Sequence, residues 1–351
     1  MRITTNAILR NYKSNLGTSM KNLDTARTRV MTQRKYNSTA EDPSSALRAA
    51  ILERKYVKNE DYLNIVKDVQ SFQDAQEDAA MQIETLAKTL SKRYGLEALN
   101  GTNGSLETRE TYADAWRGAQ ESLLLSLNAS YEGKYIFAGS DGKNAPFKLQ
   151  DELIDPADPT KGTKQVLRYR GVDVTNGDPK VLEELSKDTL FVDLGFGLNV
   201  NSSNGDPNNV EIDASSAFNT SLPGINLAGF GVDDETGLTK NMVLLCGEIA
   251  DVLEAEEFDR EKYTELLKQF DTGRNNVLEK VTILGTQTEF LTTTRDRLET
   301  GSISLATQID NVVNIDMAEA IMNFSWAQYA YNAALKVGNN ILTPSFIDFM
   351  Q

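Results

Sequence analysis

Val277, Leu284, Leu291, Leu298, Leu305 and Val312 stand seven residues apart in one unbroken series. A sustained seven-residue apolar repeat keeps one stripe of a helix facing another helix in a left-handed supercoil. At 1.5 Å per residue the series predicts a rod of about 50 Å. The N-terminal end answers it with Leu9, Leu16, Leu23 and Val30, again seven apart. A third series, Tyr62, Ile65, Val69, Phe72, Gln76, Ala79, Ile83, Leu86 and Leu90, alternates steps of three and four. Both ends of the chain are therefore expected to form long coiled-coil helices, as in a part built to be stacked with others.

The chain has 351 residues, 40% of them hydrophobic, enough for two or three domains. It contains no histidine and one cysteine. That excludes a Ser-His-Asp or Cys-His nucleophile pair, an H-E-x-x-H zinc site, a Cys-Cys zinc knuckle and any intramolecular disulfide. Cys246 lies in the apolar run Met242-Val243-Leu244-Leu245-Cys246 and is expected to be a small packed hydrophobe. The net charge of −15 argues against a nucleic-acid partner. The acid is unevenly spread: Met1 to Leu23 carries Arg2, Arg10, Lys13 and Lys21 and no acid. Such a start could be a transit peptide or a membrane-surface helix. The sustained heptad favours one half of a helix pair instead, since a lipid-facing stripe needs no seven-residue register. No stretch approaches eighteen apolar residues, so no membrane span is expected. The early apolar residues are interrupted by polar ones, so any export is expected to follow a route without a Sec-type signal.

The first helix is expected from about Thr4 to Arg34. Asp42-Pro43 starts a second, with an N-cap carboxylate and a proline whose missing N–H costs nothing there. It should run to about Tyr94 and end at Gly95 and the cluster Asn100-Gly101-Thr102-Asn103-Gly104. A third helix, from Ser105 through Trp116 to Leu127, is expected to fold back on the second. From Gly133 to Thr239 glycine, asparagine, aspartate and proline are dense. Tyr135 to Ala138, Gln165 to Tyr169, Leu190 to Leu194 and Val210 to Ile212 read as strands, with Asn176-Gly177 and Asn204-Gly205 as turns. Helix is expected to resume near Thr239, pause at Glu254 to Asp259, and continue to about Asn339. From Met317 to Ile347 only Glu319 and Lys336 are charged among the ordinary helix positions, and apolar residues cover most of the circumference. A helix apolar on most sides must be buried on most sides, and one N-terminal partner helix cannot cover it.

These patterns give an α+β fold: long coiled-coil helices from both termini forming a rod, with a β-rich domain inserted in the middle. The expected division is 1–40 with 310–351 as a terminal assembly domain, 41–132 with 240–309 as a helical rod, and 133–239 as the β-rich domain. The rod core is assigned to Ile65, Val69, Phe72, Ile83, Leu86, Val277, Leu284, Leu291 and Leu298. The assembly surface is assigned to Leu9, Leu16, Leu23, Val30, Leu305, Val312, Phe324, Tyr331, Leu335 and Leu342.

Motifs of the kind that carry chemistry are weak. Gly195-Phe196-Gly197 lacks the third glycine of a dinucleotide fingerprint, and Gly142-Lys143-Asn144 lacks the upstream glycine and the hydroxyl of a P-loop. Asp173, Asn176 and Asp178 lack calcium-loop spacing. With 51 acidic residues, carboxylate pairs for glycoside hydrolysis carry almost no signal. Asn128-Ala129-Ser130 and Asn201-Ser202-Ser203 match glycosylation acceptors by chance composition. No catalytic, metal or cofactor site is assigned.

Three stretches carry a resemblance. They are Met1-Arg2-Ile3-Thr4, Gly133-Lys134-Tyr135-Ile136-Phe137-Ala138-Gly139-Ser140, and the ending from Asp316-Met317-Ala318-Glu319-Ala320 to Ile341-Leu342-Thr343-Pro344-Ser345-Phe346-Ile347-Asp348-Phe349-Met350. With the paired helical termini around an insert, they resemble the bacterial flagellin family, and within it the hook-associated branch that joins hook to filament. The glutamine- and alanine-rich close of many flagellins is absent. The resemblance implies a non-enzymatic structural subunit of the extracellular flagellum, exported by the flagellar type III apparatus. It also implies partners: copies of itself in a ring, hook-associated protein 1 on the hook side, flagellin on the filament side, and a cytoplasmic export chaperone. The alternatives are a filament flagellin, a membrane-inserting type III translocator, or an enzyme acting on glycans. The heptads favour an assembly subunit over the translocator and the enzyme, and the ending, closer to the hook-associated branch than to a flagellin, favours the junction over the filament.

Overall fold

In a computed structural model, residues 2–100, 105–153, 163–202, 210–213 and 215–342 are described. The elements in chain order are α1 (Arg2–Thr32), α2 (Pro43–Thr89), a π-helical turn (Leu90–Gly95), α3 (Leu96–Ala98), α4 (Leu106–Leu127), β1 (Ser130–Tyr131), β2 (Lys134–Tyr135), β3 (Phe147–Leu153), β4 (Thr163–Tyr169), β5 (Val172–Asp173), α5 (Pro179–Ser186), β6 (Phe191–Val192), β7 (Val200–Ser202), β8 (Val210–Ile212), β9 (Phe218–Asn219), α6 (Gly224–Ala228), α7 (Met242–Glu254), α8 (Arg260–Val313) and α9 (Met317–Leu342). The fold is α+β, with long helices from both termini and a small sheet-containing middle. Two compact units are present, 1–61 with 298–351, and 62–297.

Helix starts are written in the sequence as acidic or amide caps, which satisfy the free N–H groups of a first turn. Asp42 accepts from the Ser45 N–H at 3.0 Å. Asn241 accepts from Val243 and Leu244 at 3.0 and 3.3 Å, Asp259 from Glu261 and Lys262 at 3.1 and 3.0 Å, and Asp316 from Ala318 at 2.8 Å. Hydrogen bonds from the Ser45 side chain and backbone and from Ser44 pull the Asp42 carboxyl down to about 2. A carboxyl depressed on folding stabilises above its ordinary pKa and loses that contribution as pH falls through the folded value. We expect a carbon-detected NMR titration to place the Asp42 midpoint near 2, with the first turn of α2 fraying below it.

In the first unit α1 and α9 lie side by side. Leu9, Tyr12, Leu16, Ser19, Leu23, Ala26 and Val30 are the half-buried series on α1, spaced alternately by three and four. Facing them on α9 are Ala320, Phe324, Ala327, Tyr331, Ala334 and Gly338. Gly338 is there for space: a Cβ would fall within the van der Waals radius of the Tyr12 hydroxyl. Small residues at alternate positions let the two backbones approach while Leu, Phe and Tyr fill the gaps.

The second unit holds most of the large core. Trp116, Leu123 and Leu127 of α4, Leu90, and Tyr263, Leu266 and Phe270 of α8 are buried together with the α7 run from Met242 to Cys246. Trp116 meets Phe270 edge-on, centroids 5.0 Å apart. α4 has its closest backbone approach to α7 and shares one core with Ala80, Ile83 and Ala87 of α2. The reason lies in α7, which is apolar on nearly all sides and therefore needs several partners. Polar pins fix the pair: Gln120 Nε2 donates to the Val243 carbonyl at 2.9 Å, and Arg117 bonds both carboxylate oxygens of Glu254.

Arg109 is buried beneath the end of α7, where it donates to the carbonyls of Leu253, Ala255 and Glu256 at 3.3, 3.0 and 3.4 Å. Its guanidinium also stands 5.2 Å from the Phe258 ring centroid. A cation here is favoured by the negative end of the helix and satisfies carbonyls left without intrahelical partners. Arg109→Met should keep the packing volume but orphan those carbonyls, costing about 2–3 kcal/mol. Urea unfolding followed by Trp116 fluorescence should show the midpoint shift.

The middle segment is less regular than its composition suggests. β3, β4 and β5 form a three-stranded antiparallel sheet with Phe147 opposite Tyr169 and Leu149 opposite Leu167. β1–β2, β6–β9 and β7–β8 are separate two-stranded pairs. The strands expected over Tyr135 to Ala138 and Leu190 to Leu194 shrink to Lys134–Tyr135 and Phe191–Val192. Ile136, Phe137 and Ala138 are buried core without strand pairing, closed off by Gly139 at φ 69. Asn176-Gly177 is a turn, with the Gly177 N–H bonded to the Asp173 carbonyl at 3.0 Å, ahead of α5 and not within a hairpin. Gly101 to Gly104, Asn204-Gly205, Ser203 and residues 343–351 lie outside the described residues.

Candidate assembly surface

The expected rod-core positions fall unevenly. Val277, Leu284, Leu291 and Leu298 are buried in sequence on one line of α8, and Ile83 and Val69 are buried on α2. Phe72 and Leu86 are half-buried. Ile65 is 37% exposed. The buried line of α2 runs instead through Val66, Val69, Gln73, Gln76, Ala80, Ile83, Ala87 and Leu90, in strict steps of three and four. Val69, Gln76, Ile83 and Leu90 keep their expected places, while the positions between them fall one residue later, at Val66, Gln73, Ala80 and Ala87. Two of the buried positions are glutamines. They are held by specific partners. Gln73 Nε2 donates to Gln287 Oε1 at 2.9 Å, and Gln76 Nε2 donates to the Ile136 carbonyl at 2.7 Å. Around them Gln70 donates to Thr292 at 3.2 Å and Thr288 to Glu77 at 2.8 Å. Burial, and then the nearby Glu77 and Asp78, raise the Asp74 carboxyl.

The segment Gly133 to Ser140 is fastened from both sides. Asp188 accepts from the Ser140 N–H at 2.9 Å and its hydroxyl at 2.6 Å, and from Arg170 at 2.7 Å. Burial would raise this carboxyl, but the three donors outweigh it and hold it low. Beside the segment lies a cleft of about 760 Å³ whose walls include Phe72, Tyr131, Tyr135 and Leu190.

The expected assembly positions divide into two kinds. Leu9, Leu16, Leu23 and Val30 face α9, and Phe324 and Tyr331 face α1, all half-buried; Leu305 and Val312 are also half-buried. Leu335 is 43% exposed. The side chain of Leu342 lies outside the described residues. Opposite the α1-facing line, α9 carries a second line that sequence reasoning did not isolate: Met322, Trp326, Tyr329, Ala333 and Val337. All five are exposed, with Trp326 at 70% and Tyr329 at 77%. Steps of four, three, four and four put them on one face. Between Glu319 and Lys336 no charge interrupts it. The signal was present in the sequence as an apolar circumference, but only a fixed orientation toward α1 separates covered from uncovered residues. The outer side of α1 is different in kind, with exposed Arg10, Lys13 and Lys21.

Among the described residues no group of acidic or cysteine side chains could hold a metal ion, and no helix is long and apolar enough to cross a membrane. Cys246 is fully buried, which pushes its thiol pKa up and away from nucleophilic use.

Residues 3–141 match the family model described as bacterial flagellin N-terminal helical region. Among solved structures the fold is similar to a putative flagellar hook-associated protein from Vibrio parahaemolyticus, 14% identical, covering 78% of this chain and 100% of that one, with a TM-score of 0.54. It is also similar to FlgL from Bacillus cereus, 13% identical, covering 74% of this chain and 99% of that one, with a TM-score of 0.50. At such identities the likeness is one of fold. No curated protein matches the sequence.

Proposed function

From a chain that carries the N-terminal helical region of the bacterial flagellins and the fold of flagellar structural proteins, we propose a structural subunit that joins hook to filament. The observation that carries this reading is the second, uncovered line of α9. A helix paired along one face and exposing Met322, Trp326, Tyr329 and Val337 along the other is incomplete as a monomer. Covering that face with equivalent helices of neighbouring copies removes apolar area from water at about 25 cal/mol per Å². The proposed partners are other copies in a ring, hook-associated protein 1 on one side and flagellin on the other, with a cytoplasmic chaperone before export. The chain would work outside the cell, within the flagellum. In this reading 1–40 with 310–351 is the assembly domain, 41–132 with 240–309 the rod, and 133–239 the outer β-rich domain.

Two glutamine layers and the leucine line of α8 would then serve the rod, while α9 serves the neighbours. Copy number tests the reading. Sheared flagella are weighed for this chain by quantitative mass spectrometry, and its position is found with a gold-labelled antibody. A label confined to the hook end, at a ring's worth of copies, supports the junction role. Labelling along the whole filament in thousands of copies makes it a filament flagellin, and absence from flagella overturns both.

A further inference from the structure

α1 ends at Thr32 and α8 ends at Val313, and the segments that follow them meet, although the sequence between α8 and α9 holds no glycine or proline to announce a break. Each end is finished by its own residues. Gln33, at φ 61, sits in the left-handed region and returns its N–H to the Arg29 carbonyl at 2.8 Å. Asn314 returns its N–H to the Asp310 carbonyl at 2.8 Å and its side chain to the Asp310 carboxylate at 2.6 Å. Asp316 then caps α9. A non-glycine residue in the left-handed region is uncommon and persists only where its surroundings favour it. These are built ends.

Across the break the two segments meet in a single antiparallel bridge, Arg34 opposite Asn314. Lys35 N–H donates to the Val313 carbonyl at 2.8 Å, and Ile315 N–H donates to the Gln33 carbonyl at 3.0 Å. The Lys35 ammonium also donates to the Asn311 carbonyl at the end of α8. Around the bridge the side chains of 31–35 and 37–41 are exposed, and Tyr36, Val312, Val313 and Ile315 are only half-buried, so no fully buried core braces one angle. Two backbone bonds resist sliding, since a one-residue shift breaks both and turns the side chains to opposite faces. They do little against bending.

We propose that this bridge is a joint that fixes register and leaves angle free, so that α1 and α9 swing together as one arm while remaining aligned with α2 and α8. The arm could then meet neighbours at an angle set by assembly without disturbing the heptad alignment on either side of the break.

The donor pattern makes Arg34 and Asn314 a non-hydrogen-bonded pair, with Cα atoms about 4.5 Å apart in ideal geometry, within disulfide reach. The full-length R34C/N314C protein is oxidised with glutathione and compared with K35C/N314C, whose side chains leave opposite faces of the bridge. The native Cys246 is buried and does not compete. We expect R34C/N314C to cross-link at least 10-fold faster and to enter flagella equally well oxidised or reduced. Equal cross-linking of the offset pair overturns the fixed register. Incorporation only when reduced shows that the bridge must open, which overturns the joint. Spin labels on K21C and R54C should give a broad distance distribution, and K21C with Q328C a narrow one; two narrow distributions overturn the free angle. The incorporation arm rests on the proposed function. If the wild-type chain does not enter flagella, that reading fails while cross-linking and spin-label distances still judge the joint.

Discussion

Leu284→Asp should destabilise the isolated chain by about 4 kcal/mol, the scale expected when a charge enters a packed core with no partner. Leu284 is 2% exposed and belongs to the main core of the second unit. Its neighbours in the heptad line, Val277 and Leu291, are fully buried, so the carboxylate has no short path to water. The control is Leu278→Asp on the same helix, where the side chain is already exposed. It adds the same charge and should change stability by less than about 0.5 kcal/mol. Urea unfolding monitored by circular dichroism compares the two. If both variants lose stability equally, added negative charge in a chain of net −15 is the cause, and the heptad line is not the core.

Replacing both Trp326 and Tyr329 with aspartate should do the opposite: leave the melt of the monomer nearly unchanged and abolish assembly. These two side chains have most of their surface in water already, so the monomer has little to lose. In a ring each would bury roughly 150–250 Å² at most, giving on the order of 7–12 kcal/mol gross per copy from the pair. Ordering side chains and fixing the subunit offset part of this. Since 1.4 kcal/mol is a factor of ten, even a fraction of the loss empties the ring. Cells carrying the double variant should secrete unpolymerised flagellin. Leu335→Asp should act in the same direction, because Leu335 is partly exposed on the same helix. Filaments of normal length from the double variant would remove α9 from the assembly surface. A melt lowered as far as that of Leu284→Asp would mean that the stripe is already covered within the monomer.

What could be read in advance follows from where the signal is local. Seven-residue spacing names the buried line of α8 because leucine or valine occupies every such position. On α2 the same method drifts. Gln73 is buried through a hydrogen bond to Gln287, a partner distant in sequence, and no hydrophobic pattern can see it; Gln76 falls on the expected series, but what holds it there is its bond to the Ile136 carbonyl. Ile65 looked like core and is exposed because the true line passes one residue later, at Val66. The break between α8 and α9 was invisible for a related reason. Its cause is the capping by Asp310, Asn314 and Asp316 and the bridge to Arg34, none of which breaks helical periodicity. In the middle segment, short apolar runs such as Ile136-Phe137-Ala138 are core by burial but have no strand beside them; burial and pairing are separate properties there.

The exposed face of α9 also sets a clock. If the chain assembles through this helix as proposed, every free copy carries Trp326 and Tyr329 in water until it is inserted, on a helix with only two charges among its described residues. Encounters between such faces rise with the square of concentration, and nothing on the helix repels a wrong, off-pathway match. A chain of this design can be stockpiled only if something covers that face. Without a cover, it has to be made no faster than it is used. Under the proposed role, supply and demand would have to be matched in the cell, a constraint that originates in one stripe of five side chains.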